Sequence, residues 1–345
     1  MILRKDRGTK KRKEMTECKE HIRLAVKNLS VEIRTGGKDC KVLNQISFTA
    51  KPGEIIGLVG ESGCGKSMTS LAIMGLLPSG ACVSEGEIQM EGKDLLSLSE
   101  AELCSVRGGE VAMIFQEPMS ALNPLIPVGK QIEECYRLHH KAVSAIQTRE
   151  ITLDMMRTVG LSRVESLYHE FPHQLSGGMK QRIVIAMALI NRPRLIIADE
   201  PTTALDVTIQ AQILELLKKM NVEYGCTVLF ISHDLGVIRT VCDQIVVMYA
   251  GRIVEQGKTE EVLKTPGHPY TRGLLSSIAG AKNKGEELYS IPGYVEPLEK
   301  REENRCPFVK RCERAQEVCH ITCPDMKEIQ GRKVRCFYEG DGRSE

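Results

Sequence analysis

The stretch Gly60-Glu61-Ser62-Gly63-Cys64-Gly65-Lys66-Ser67 fits the pattern G-x-x-x-x-G-K-[ST], and the apolar run Ile55 to Val59 leads directly into it. The run reads as a short buried β-strand, and Met68 to Leu77 reads as the helix that follows. A strand, a glycine-rich turn and a helix make a phosphate cradle: backbone N–H groups point inward, the helix N-terminus adds positive potential, and a lysine reaches the outer phosphates. The loop from Gly60 through Ser67, with Met68 behind it, is therefore expected to hold the phosphates of a nucleoside triphosphate. Lys66 sits at the outer phosphates, and the Ser67 hydroxyl is available to Mg²⁺. Cys64 occupies a wildcard position, so its type assigns it no role.

Outward from that loop the chain alternates between strand and helix signals. Ile22 to Phe48 reads as a pair of strands, Gly86 to Gly92 and Val111 to Phe115 as further strands, and Leu195 to Ala198, Thr227 to Ile231 and Ile245 to Tyr249 as short apolar ones. Between Glu117 and Gln174 the spacing turns helical, as in Val128 to Leu138 and Ile151 to Val159. Apolar strands alternating with helices predict an α/β fold with a mostly parallel sheet covered on both faces. The 345 residues, 42% hydrophobic, suffice for one sizeable core and a smaller appendage. A net charge of +2 argues against a nucleic-acid binder. No apolar run approaches the roughly 18 to 20 residues that span a bilayer. Residues 1–15 hold seven Lys/Arg against two Asp/Glu with no apolar segment after them, which reads as a solvated basic tail and not as a secretory signal.

Two further stretches carry chemistry. Leu195-Ile196-Ile197-Ala198-Asp199-Glu200 is an apolar strand ending in two carboxylates. Neighbouring strand residues face opposite ways, so the two acids are expected to divide the work. One would hold Mg²⁺, directly or through water, and the other would orient the attacking water and accept its proton. Leu175-Ser176-Gly177-Gly178-Met179-Lys180-Gln181-Arg182 opens an apolar helix with Ser176 as its N-cap. Its glycines permit close backbone approach, which makes a second anion site at a helix N-terminus.

This pair of glycine-rich anion sites resembles the ATP-binding cassette (ABC) ATPases, whose signature sequence, LSGGQ, is matched by Leu175 to Gln181. The resemblance covers residues 22–279. It implies a P-loop NTPase cassette over 21–280, with an N-terminal antiparallel β subdomain and a helical subdomain at about 117–175. It also implies that two cassettes pack head to tail with ATP between the phosphate loop of one and Ser176-Gly177-Gly178 of the other. By the same matching Gln116 resembles the Q-loop glutamine at Mg²⁺, Ala204-Leu205-Asp206 the D-loop at the dimer seam, and His233 the switch histidine at the γ-phosphate. One departure stands out: Ile33 occupies the position where the family stacks an aromatic ring on adenine.

A narrower resemblance lies in Gly60 to Pro78, in Phe115-Gln116-Glu117-Pro118-Met119-Ser120-Ala121-Leu122-Asn123-Pro124 and in Thr265-Pro266-Gly267-His268-Pro269-Tyr270-Thr271. These are similar to the dipeptide, oligopeptide and nickel importer branch. The resemblance implies an ATPase that energises peptide import, with nickel or a metal chelate as the alternative cargo, at the cytoplasmic face of the membrane. Its partners would be a second, paralogous ATPase, two transmembrane permeases and an extracytoplasmic substrate-binding protein. A soluble cassette acting on nucleic acid is the remoter reading, since the chain has one cassette and no basic face. Five of the thirteen cysteines crowd into Cys306, Cys312, Cys319, Cys323 and Cys336, within residues 281–345. Their spacing matches neither paired C-x-x-C zinc sites nor the compact ferredoxin run. The peptide-importer pattern picks Cys306, Cys312, Cys319 and Cys336 as ligands of a [4Fe–4S] cluster, with zinc as the alternative and Cys323 spare.

Overall fold

The computed structural model describes residues 22–203, 205–277 and 289–338. The basic tail at 1–20, Ala204, and most of the linker expected after Ala281 lie outside the described residues.

The core is an eight-stranded sheet. Its strands run, edge to edge, Lys327–Ile329, Arg332–Val334, Arg252–Lys258, Gln244–Tyr249, Ile55–Val59, Thr227–Ser232, Leu195–Asp199 and Val111–Ile114. The last five of these are mutually parallel, and the hairpin partner of Gln244–Tyr249, Arg252–Lys258, is antiparallel. Every residue of Ile55–Val59, Leu195–Asp199 and Thr227–Ser232 is buried, as expected of strands covered on both faces. The pleat sends Ile55 and Val59 into one apolar cluster and Ile56 and Leu58 into the other. Each such side chain contributes about 1.5–3 kcal/mol by leaving water.

A second sheet, in the order Lys38–Ala50, Leu24–Thr35, Ala81–Met90 and Lys93–Asp94, is antiparallel. The third of its strands runs longer than the glycine-bounded segment 86–92 read from sequence. Helices Val128–His139, Ala145–Thr158 and Gly177–Leu189 pack on one another beside the main sheet. Ser144 starts the second of these with a capping box, its hydroxyl accepting from the Gln147 N–H. The helix after the phosphate loop is Lys66–Met74, shorter than read from sequence because Gly75 turns left-handed and caps it.

The cysteine-rich extension is continuous with this architecture. Its hairpin adds two strands to the edge of the main sheet, with Glu255 opposite Val334 and Gln256 opposite Lys333.

Candidate active site

Four of the parallel strands end at one edge of the sheet. Ile55–Val59 delivers the phosphate loop, Leu195–Asp199 delivers Asp199 and Glu200, Thr227–Ser232 is followed at once by His233, and Gln116 comes two residues after Val111–Ile114. Ligand sites of open α/β sheets lie beyond the carboxyl ends of their strands in this way. Within the loop a Cβ on Gly60 would collide with the Met248 carbonyl of the neighbouring strand, so only glycine fits there. Lys66 is buried, and its Nζ donates to the carbonyls of Gly60 at 2.6 Å and Glu61 at 3.1 Å.

Three side chains converge on Glu200. Gln116 Nε2 donates to Oε2 at 3.1 Å, Thr203 Oγ1 donates to the same oxygen at 3.0 Å, and His233 Nδ1 lies 3.1 Å from Oε1. Burial alone would raise the pKa of Glu200. The hydrogen bonds from His233 and Thr203, with the nearby positive charge of Lys66, outweigh it and hold the carboxyl below the usual carboxylate range. The strand ends at Asp199, and Glu200 adopts a left-handed backbone with φ 46°. The expected alternation of two strand carboxylates is thereby corrected: Glu200 is aimed by the turn after the strand. That turn is held by Gln181, whose Nε2 donates to the Pro201 carbonyl at 2.7 Å, and by the Glu200 N–H, which donates to Ile231 O at 3.0 Å. Thr203 was not singled out in the sequence. Its position three residues after Glu200, in the same turn, is the signal that could have found it.

Asp199 is buried, and its Oδ1 has no hydrogen-bond partner among the described residues. Burial pushes its pKa up and Glu200 adds to this, while the hydroxyls of Ser67 and Ser70 and the charge of Lys66 act against them. A buried carboxylate oxygen without a partner, beside a serine hydroxyl, is a donor set that suits Mg²⁺. Gln116, also expected at Mg²⁺, is turned to Glu200 here.

Ser176 and Asp206 stand outside this cluster. Each caps its own helix: the Ser176 hydroxyl accepts from the Met179 N–H and the Asp206 carboxylate from the Ile209 N–H. Ser176 and Gly177 are exposed. A Cβ on Gly178 would press on Ile209 at 2.9 Å, whereas one on Gly177 would meet only Leu205, at 3.9 Å. Internal packing therefore requires glycine at 178 and does not require it at 177. Ile33 pairs with Cys40 and Ala81 in the antiparallel sheet and is half-buried.

In the extension, Cys306, Cys312, Cys319 and Cys336 line a single cavity with His268 and Phe337, and Cys323 is not among its lining residues. Burial, reinforced by the neighbouring thiols, pushes Cys306 up to about 12. Among the described residues no group of three or more His, Cys, Asp or Glu side chains stands ready to hold a single metal ion. Soft thiolates are ligands for zinc and for iron–sulfur clusters alike.

A family model described as "ABC transporter" matches residues 43–203, and one described as "Oligopeptide/dipeptide transporter, C-terminal region" matches residues 254–319. The oligopeptide transport ATP-binding protein AppD of Bacillus subtilis (strain 168) is 44% identical over 322 residues, which cover 92% of this chain and 98% of that protein. The dipeptide transport ATP-binding protein DppD of the same organism is 45% identical over 324 residues, covering 93% and 96%. A solved dimeric ATP-binding cassette, in a post-hydrolysis state with ADP and Pi, superposes with a TM-score of 0.62 at 30% identity, covering 68% of this chain and 98% of that one.

Proposed function

We propose, from the premise that this chain belongs to the ABC transporter family and within it to the oligopeptide and dipeptide transport ATP-binding proteins, that it is the ATPase that energises import of di- and oligopeptides. The observation that carries the reading is the convergence of Gln116, Thr203 and His233 on Glu200 beside the phosphate loop.

Lys66 and the backbone N–H groups of residues 60–67 receive the outer phosphates, and Met68 follows at the helix start. Ser67 and Asp199 would hold the metal ion together with the amide oxygen of Gln116, whose amide nitrogen bonds Glu200. When bound, Mg²⁺ neutralises charge developing on the β- and γ-oxygens. Glu200 orients the attacking water and accepts its proton, and His233 and Gln116 hold that carboxylate in place. Ser176, Gly177 and Gly178 serve the triphosphate of a second cassette, with Asp206 at the seam. The exposed, internally unneeded Gly177 supports this, because a helix N-terminus without a side chain lets an anion reach the backbone. In Glu200→Gln, ATP binding should persist while turnover falls about a hundredfold or more, the share a general base commonly supplies. Normal turnover in that variant would remove Glu200 from the role.

As in any such importer, the ATPase works with permease and substrate-binding subunits. We assign it a paralogous cassette partner, two permeases and an extracytoplasmic binding protein, and a peripheral place on the cytoplasmic face. No helix among the described residues is long and apolar enough to cross a membrane. Relatives aligned over nine-tenths of the chain are named for oligopeptide and dipeptide transport, which favours peptide over nickel as cargo. Reconstituted with its permeases, the chain should drive uptake of a labelled peptide and not of Ni²⁺.

The shared cavity of Cys306, Cys312, Cys319 and Cys336 supports a [4Fe–4S] cluster at that place, with zinc the alternative. A cluster there would cross-link the extension and stabilise a segment short of apolar mass. Anaerobically purified protein should carry about four iron and four sulfide per chain. A folded chain free of both would end the assignment.

A further inference from the structure

The phosphate loop is gripped from outside by the cysteine-rich extension, through side chains that the catalytic cluster does not use. Glu61 is the loop's second residue. Its carboxylate accepts from Arg311 Nη1 at 2.7 Å and from Nη2 at 3.1 Å, and its backbone N–H donates to the Tyr270 hydroxyl at 2.9 Å. Two residues on, the Gly63 carbonyl accepts from Arg301 Nη2 at 3.1 Å. Arg311 lies between Cys306 and Cys312, and its side chain is 7% exposed. Its remaining donors go to the Pro292 carbonyl at 2.9 Å, the Ile291 carbonyl at 3.3 Å and the Tyr249 hydroxyl at 3.3 Å. Phe308 packs its ring on Tyr249, Tyr270 and His268, with centroids 5.1, 5.4 and 5.8 Å away. Extension, His-Pro-Tyr segment and loop thus share one buried junction.

A buried guanidinium is tolerated only with an anionic partner and satisfied donors, and Glu61 is the carboxylate in hydrogen-bond contact with this one. The contact also matters to the anion site. The Glu61 carbonyl already receives the Lys66 ammonium, so the Glu61 carboxylate is anchored within a few bonds of the lysine that must meet the triphosphate. Released, that carboxylate would compete for Lys66 and repel the nucleotide.

We propose that Arg311, seconded by Arg301 and Tyr270, is a positioning residue of the ATP site: it holds the Glu61 carboxylate away from Lys66 and fixes the outer wall of the phosphate loop, so that nucleotide affinity depends on the folded extension. The inference rests on the ATPase reading above.

The test is steady-state ATP hydrolysis by the full chain in its transporter, comparing wild type, Arg311→Gln, Glu61→Gln and the double variant. Arg311→Gln should raise KM for ATP about tenfold with kcat within about twofold, the pattern of lost ground-state and transition-state binding alike. In the double variant the carboxylate is gone as well, and KM should return to within about threefold of wild type, a non-additivity expected of two groups in contact. An unchanged KM in Arg311→Gln overturns the proposal, and so does a double variant as impaired as the single, because the loss would then not come from the freed Glu61 carboxylate. Should Arg311→Gln be recovered only unfolded, Arg311→Lys carries the test. It keeps the charge but not the two-pronged contact, and it should give an intermediate KM; a KM equal to wild type would count against the idea. A wild-type chain that hydrolyses no ATP would instead bring down the functional reading itself.

Discussion

Nδ1 of His233 lies 3.1 Å from Oε1 of Glu200, on the opposite carboxylate oxygen from the Thr203 hydroxyl at 3.0 Å. A base held from both sides is oriented, and it is also acidified. Its folded pKa lies below the usual value because the hydrogen bonds outweigh burial. A depressed pKa keeps the carboxylate ionised to lower pH, so it extends the acid limb of activity downward. Thr203→Val removes one donor at nearly constant volume. The acid limb of the kcat/KM profile should then move to higher pH, with the pH-independent plateau reduced less than in Glu200→Gln. An unmoved limb would mean that Thr203 does not tune the base.

The parallel strands were legible because a strand buried on both faces must be largely apolar, as Ile55–Val59 is and as Leu195–Asp199 is up to its terminal carboxylate. The Ser176 cap and the helix behind it followed from composition alone. The grouping around Glu200 was only half legible. Motif matching chose Gln116 and His233, which lie 84 and 33 positions from Glu200, but the left-handed turn that aims the carboxylate is set by tertiary hydrogen bonds, including the one from Gln181. The extension was least legible. Its strands Lys327–Ile329 and Arg332–Val334 are three residues each and carry charge, so they lack a period-2 pattern long enough to read. They form because the edge of Arg252–Lys258 offers unpaired backbone groups. Nor could spacing pair Arg311 with Glu61 across 250 positions.

Gly177 separates folding from function. It sits in the first turn of Gly177–Leu189, where a Cβ would meet only Leu205, at an ordinary 3.9 Å. Glycine in a helix costs up to about 1 kcal/mol relative to alanine. Gly177→Ala should therefore leave thermal stability unchanged or slightly raised. If that backbone receives the triphosphate of a second cassette, the new methyl group stands in the path, and ATPase activity should fall at least about tenfold together with ATP-induced pairing. The measurements are a melting curve and size-exclusion chromatography with ATP, the latter in the Glu200→Gln background so that bound ATP persists. A stable Gly177→Ala protein with full activity would remove the close-approach argument.

His268 gives the junction beneath the phosphate loop a pH dependence of its own. The ring is buried, and its Nδ1 accepts the Tyr270 N–H at 3.0 Å. Burial, with Arg335 nearby, pushes its pKa from 6.5 down to about 3. The neutral ring is thus the folded form, while the unfolded chain takes up a proton below about 6.5. Stability owed to this residue is fully present above that value and is lost as pH falls towards 3. At pH 5 the loss should be about 2 kcal/mol relative to pH 7 and above. Glu255 accepts the backbone N–H groups of Gly267 and His268, and burial raises its pKa, so it works in the opposite sense. It is common to wild type and variant, and the difference between them isolates the histidine. His268→Asn keeps an acceptor for the Tyr270 N–H but cannot titrate. Its chemical-denaturation stability should start lower at pH 7 and decline less between pH 7 and pH 5 than that of the wild type. Parallel curves for the two proteins would show that the buried ring is protonated at little cost, and that the junction is open to water.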